Sequence, residues 1–198
     1  MKDALDFYGK NRKKIDAFLE KARQKKKEEI RFELYFCLLT PQSKAPLCRT
    51  ALEEMHSKGI IFDAGSDKLL TYMGCVRFNK NKARYIVEAR DKFDEIFSKI
   101  EELREKPLAL REWLVKNVKG YGHKEASHFL RNIGLGEELA ILDRHILRRM
   151  KIEEKALTKK KYLEYEKKFR NLAKKHGLKS AELDIAIWLN DSGSQEIM

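Results

Sequence analysis

The chain has 198 residues, enough for one ordinary domain or two small packed lobes, and 43 Lys and Arg against 31 Asp and Glu leave a formal charge of +12. That excess favours a polyanionic partner, nucleic acid ahead of an anionic membrane. No apolar stretch approaches the roughly 20 residues of a spanning helix, and the N-terminus lacks a signal-peptide pattern, so a soluble cytoplasmic protein without membrane contact is expected. Cys37, Cys48 and Cys75 cannot all pair, and their spacing fits neither a zinc site nor an iron–sulfur ligand run; reduced, mostly buried thiols are expected.

Apolar residues recur at helical spacing almost throughout and no alternating strand stands out, which predicts an all-α chain. A Lys-rich first helix runs to about residue 27, and a second carries Phe32, Tyr35, Phe36 and Leu39 until Pro41 interrupts it. After a third helix ending near Gly59, residues 81–100 read as one amphipathic helix with Ile86, Phe93, Ile96 and Ile100 on one side. Residues 108–133 read as two helices joined by a tight glycine turn, with Gly134 as the stop. A further helix starts at Asp143. A long one over 159–176 buries Tyr162, Tyr165, Phe169 and Leu172, and a last one over 180–190 carries Trp188. No internal repeat, low-complexity segment or flexible linker interrupts this order.

The most informative stretch is the glycine turn. Gly120 and Gly122 flank Tyr121, so the backbone can take a positive φ there and approach another molecule closely. N–H groups at the start of the following helix suit a phosphate, with Lys119 and Lys116 beside them as further phosphate contacts. Lys124 falls in the first turn of that helix, where the positive end of the helix dipole disfavours an ammonium and desolvation adds to the effect. A neutral amine is what nucleophilic attack on carbon requires. From position 124 to Asp143 is nineteen residues; Asp143 ends an apolar run, in the place of a helix N-cap.

The run Gly120-Tyr121-Gly122-His123-Lys124-Glu125-Ala126-Ser127-His128-Phe129, followed by Ile141-Leu142-Asp143-Arg144-His145, is similar to the helix-hairpin-helix glycosylase superfamily, and most like its small archaeal and thermophile-type 8-oxoguanine DNA glycosylase/lyases. Residues 38–45 (Leu-Leu-Thr-Pro-Gln-Ser-Lys-Ala) and 77–86 (Arg-Phe-Asn-Lys-Asn-Lys-Ala-Arg-Tyr-Ile) resemble two further segments of that family, as does Trp188 near the end. The resemblance implies two helical lobes: a central one over 28–135 with the hairpin, and a second formed by 1–27 and 136–198. DNA would lie in the cleft between them, where Lys124 and Asp143 would meet.

The chemistry it implies is removal of 8-oxoguanine through a lysine Schiff base, followed by β-elimination that nicks the strand. Lys124 is then the nucleophile and Asp143 its ionised partner. The implied partner is double-stranded DNA containing an oxidised guanine, bound by a nucleoid-associated monomer with no cofactor and no catalytic metal. Carbonyls of the hairpin turn, Val118 among them, are candidates for a monovalent cation. Extruding a base leaves a gap to fill, and Gln42, Phe78 and Asn79 are the candidates for the wedge and the contact to the orphaned base. His128, one turn after Lys124, and Trp188 are stacking candidates for the extruded base, with Asp184 as an acceptor for its polar edge. The family's basic C-terminal tail is replaced here by Asp191-Ser192-Gly193-Ser194-Gln195-Glu196-Ile197-Met198, which bears on lesion specificity.

Two alternatives stay open on the residues alone. One is a glycosylase/lyase for oxidised pyrimidines, a branch that usually carries an iron–sulfur cluster for which the three cysteines offer no ligand run. The other is a non-catalytic helix-hairpin-helix module that only grips phosphates.

Overall fold

The computed structural model describes residues 1–154, 157–194 and 197. Among the described residues there are twelve α-helices and no strand: α1 (Lys2–Arg23), α2 (Lys27–Leu39), α3 (Ala45–Ser57), α4 (Ile60–Asp63), α5 (Ser66–Leu70), α6 (Asn79–Asp91), α7 (Phe93–Glu102), α8 (Pro107–Asn117), α9 (His123–Asn132), α10 (Arg144–Arg149), α11 (Lys159–Lys175) and α12 (Ser180–Ser192). They form two compact units, one of Met1–Gln24 with Leu130–Ile197, the other of Lys25–Phe129. The helix expected over 81–100 is instead two, α6 and α7, hinged at Lys92. Neither Pro nor Gly marks that hinge, and the buried residues Ile86, Ala89, Phe93, Ile96 and Ile100 keep one helical spacing across it, so the local pattern carries no sign of the break.

In the unit Lys25–Phe129, the apolar face of α2 is the centre. Leu34, Phe36, Leu38 and Leu39 are buried with Leu52 and Met55 of α3, Ile86 of α6 and Leu110 and Leu114 of α8. The hairpin between α8 and α9 is tied to that centre, because the Tyr121 hydroxyl donates to the Leu34 carbonyl at 3.0 Å. Burial, with the nearby acidic groups of Cys37, Glu125 and Glu33 adding to it, pushes the Tyr121 phenol well above its usual pKa, so it stays a donor. Among the charged side chains accommodated inside, Arg111 donates to Ser127 Oγ at 3.2 Å, and Glu33 takes Lys25 Nζ at 2.5 Å.

The other unit is built from α1, α10, α11 and α12. One cluster gathers Ala4, Ile146, Tyr162, Phe169, Leu183 and Ile187; a second gathers Tyr8, Ile15, Leu19, Ile185 and Leu189. Glu137 joins the end of α1 to the start of α12 through ion pairs with Arg23 and Lys179, while its carbonyl accepts Ala181 N–H at 2.9 Å. The non-helical segment leading to Asp143 is held by α11: Tyr162 Oη donates to Ala140 O at 2.6 Å, and Ala140 N–H donates to Glu166 Oε1 at 3.1 Å. Satisfying both polar groups of Ala140 this way lets residues 139–142 run buried without regular structure.

Candidate active site

The hairpin turn requires its first glycine. Gly120 has φ +93°, and a Cβ there would meet the Tyr85 ring at 2.6 Å and Leu38 Cδ2 at 3.2 Å. Gly122 serves differently: its φ lies outside the left-handed region, and its N–H, the group expected to face a phosphate, donates to Glu125 Oε2 at 3.3 Å. Glu125 thus closes the first turn of α9 from its third position. The Gly-x-x-Glu spacing of a capping box was visible in the sequence, yet this residue escaped the reading.

Lys124 is the second residue of α9, with its side chain 27% exposed and Nζ 3.8 Å from Glu125 Oε1. His123 beside it pairs its Nε2 with Glu112 Oε1 at 2.9 Å. His128, one turn along, is buried and stands edge-on to the Phe36 ring with centroids 6.0 Å apart. Lys119 is exposed, with Nζ over the Tyr85 ring and 3.8 Å from Glu88. The Val118 carbonyl accepts the Tyr121 N–H at 3.1 Å. Among the described residues no group of three His, Cys, Asp or Glu side chains could hold a metal ion.

The same unit carries the three wedge candidates, Gln42 and Phe78 on two loop tips and Asn79 as the first residue of α6. Gln42 and Phe78 are both non-glycine residues in the left-handed region, at φ 55° and 56°, and both are exposed, Phe78 by 57%. Left-handed backbone is costly for such residues and persists only where the surroundings impose it. Asn79 is turned into its own loop: Nδ2 donates to Met73 O at 3.2 Å and Oδ1 accepts Lys80 N–H at 2.9 Å.

Behind these loops is a residue sequence reasoning missed. Lys82 of α6 is 4% exposed, and its Nζ donates to Leu39 O at 2.7 Å, Pro41 O at 2.7 Å and Ser43 Oγ at 3.0 Å. Burial lowers its pKa from 10.5 to about 8; nearby Cys48 and Glu125 oppose the shift, while Lys124 and Arg77 add to it. In the sequence it is one of three lysines between positions 80 and 92, with nothing to single it out.

Asp143, Asp184 and Trp188 belong to the other unit. Asp143 caps α10, as its position predicts: Oδ1 accepts His145 N–H at 2.8 Å and Ile146 N–H at 3.0 Å. Both bonds fall on one oxygen, and Oδ2 has no partner among the described residues. Asp184 is buried and receives Arg131 Nη1 at 2.5 Å, so its carboxylate belongs to an interior ion pair rather than to an open surface. Trp188, one turn on, is partly exposed and packs against the cluster of α1 and α12, where Ile197 also rests. The atypical tail continues through Gln195, Glu196 and Met198, which lie outside the described residues.

An all-helical chain with a lysine opening the second helix of a glycine hairpin, and a helix-capping aspartate nineteen residues on, defines a helix-hairpin-helix protein of the DNA glycosylase class. The profile of one such family, described as 8-oxoguanine DNA glycosylase, matches residues 11–178. The 8-oxoguanine DNA glycosylase/AP lyase of Fusobacterium nucleatum is 41% identical over 180 residues, covering 84% of this chain and 81% of that protein. The crystal structure of the Methanocaldococcus jannaschii glycosylase/lyase, in complex with a 15mer DNA containing 8-oxoguanine, matches with a TM-score of 0.84 at 35% identity, over 94% of this chain and 93% of that one. The Thermotoga maritima 8-oxoguanine DNA glycosylase matches with a TM-score of 0.86 at 32% identity, over 99% and 97%. The chain belongs to the 8-oxoguanine DNA glycosylase family.

Proposed function

We propose that this protein is a bifunctional DNA glycosylase and AP lyase that removes 8-oxoguanine and nicks the strand, with Lys124 as nucleophile and Asp143 as its acidic partner. Family membership over nearly the whole chain, together with a lysine in the first turn of the post-hairpin helix, carries the reading. The Lys124 amine attacks C1′, the bond from C1′ to the base breaks, and 8-oxoguanine leaves with the bonding electron pair. Loss of a proton from nitrogen and opening of the sugar give an imine. Removal of a C2′ proton then expels the 3′ phosphate and cuts the strand. Asp143, with one carboxylate oxygen engaged by α10 and the other open, stabilises positive charge at the sugar.

Around that chemistry, Gln42 and Phe78 fill the space the base vacates, Trp188 and His128 are the stacking candidates for the extruded purine, and Lys119 and Lys116 beside the hairpin take phosphates. Asn79 supports its loop, and Asp184 with Arg131 fixes the helix that carries Trp188. The net charge of +12 suits a monomer working on double-stranded DNA in the cytoplasm. The test is a panel of duplexes bearing one 8-oxoguanine, one thymine glycol or one abasic site, with Lys124→Gln alongside. The expected result is cleavage of the 8-oxoguanine duplex by the native protein and, for Lys124→Gln, damage-specific binding without a borohydride-trapped adduct. A variant that still forms the adduct at the native rate overturns the assignment.

A further inference from the structure

We infer that Lys82 is a positioning residue for base extrusion, setting the shape of both loop tips, Gln42 and Phe78, from beneath; this rests on the proposed insertion of those residues into DNA. The last carbonyls of an α-helix lack partners within the helix, and a cation near them is favourable. Helix α2 has no basic residue in its last turn, and Pro41 follows it almost at once. The cation is delivered from α6 instead, 43 residues away in the chain, through Lys82 Nζ on Leu39 O.

That same nitrogen reaches the two residues on either side of Gln42, through Pro41 O and Ser43 Oγ. An ammonium has three N–H donors, and here it meets three acceptors. Gln42, caught between two of them, is the residue with φ 55°. Ser43 Oγ in turn accepts the Arg77 N–H at 3.0 Å, and the residue after Arg77 is Phe78, with φ 56°. A single chain of bonds from one buried amine therefore runs to both strained, exposed tips. A cation with no open path to the solvent, committed to carbonyls and a hydroxyl, does not contact phosphate itself. Its effect passes through the loops.

The variant is Lys82→Met, which keeps the length of an unbranched chain and leaves the three acceptors without their donor. Two readouts separate loop shape from chemistry. One is excision of 8-oxoguanine from a duplex, which needs the base extruded; the other is borohydride trapping on single-stranded abasic DNA, which needs no extrusion. The expected result is a fall of tenfold or more in the first and less than threefold in the second. A parallel fall in both, or duplex excision within threefold of the native protein, overturns the inference. Should Lys82→Met not fold, Ser43→Ala removes the hydroxyl that joins Lys82 to Arg77 while leaving the two carbonyl bonds of Lys82 in place, and is expected to give the same asymmetry at three- to tenfold; equal effects on both substrates overturn it there too. A duplex with 2-aminopurine beside the lesion adds a readout that needs no bond breaking. Its fluorescence should rise on binding the native protein and rise less with Lys82→Met, and an equal rise counts against the inference. That signal is independent of whether the native protein excises 8-oxoguanine, so failure of the proposed function is seen separately.

Discussion

Removing the Arg131 guanidinium from its buried partner tests how the end of α9 is secured to α12. Arg131 Nη1 lies 2.5 Å from Asp184 Oδ2, with the two side chains 6% and 4% exposed. The guanidinium also donates to Asn132 Oδ1 through Nε at 3.1 Å and Nη2 at 2.9 Å. Arg131→Met takes the guanidinium away from a buried carboxylate, a change that costs about 3–5 kcal/mol in comparable sites. The carbonyl of Asn132 loses two donors at the same time, so the upper part of that range is expected. Asp184→Leu should cost a similar amount by removing the carboxylate that faces the buried guanidinium. Replacing both, as Arg131→Met with Asp184→Leu, removes both charges of the buried pair together and should cost less than the two single changes added. Urea unfolding of the four proteins gives the coupling directly, because each single loss is a large part of the roughly 5–15 kcal/mol total stability of such a protein. Single losses below about 1 kcal/mol, or a double variant whose loss equals the sum of the singles, would refute the claim that the pair is desolvated and mutually dependent.

The two hairpin glycines should respond unequally to alanine. Gly120→Ala combines a left-handed backbone, worth about 1–2 kcal/mol, with displacement of the Tyr85 ring, and is expected to lower stability by about 2–4 kcal/mol. Gly122→Ala meets only the flexible end of Glu125, at 3.2 Å, and should cost less than about 1 kcal/mol; equal losses in thermal unfolding would count against the assignment. The buried amine predicts a pH effect. Because the folded pKa of Lys82 is about 8 against 10.5 when unfolded, the folded state binds fewer protons between those values, and stability from this group rises with pH across that window. The native protein should therefore gain on Lys82→Met by roughly 2–3 kcal/mol between pH 8 and 10.5. A constant or shrinking difference in urea unfolding would contradict the burial of a charge there.

Much of this protein is local and therefore legible in one dimension. The long helices α2, α11 and α12 follow from apolar spacing, Pro41 and Gly177 mark ends, and the Gly120 hinge needs only its own φ. Asp143 caps a helix through bonds to residues two and three further on, which its position beside an apolar run already implies. Lys124 was singled out because the helix start is also a local property. The hinge at Lys92 was not, since an unbroken apolar pattern spans it.

What adjacency in the chain could not supply is which polar groups share an interior. Lys82 and Leu39, Arg131 and Asp184, and Tyr121 and Leu34 meet across 43, 53 and 87 residues. An unpaired charge or carbonyl is expensive only after burial, so neither partner carries a mark of its role before the chain folds. By itself the sequence determined helices such as α2, α11 and α12, the glycine hairpin and the place of Lys124 in it. Only tertiary structure decided that one lysine among many would become the interior support for two strained loop tips, and that the aspartate a turn before Trp188 would face an arginine.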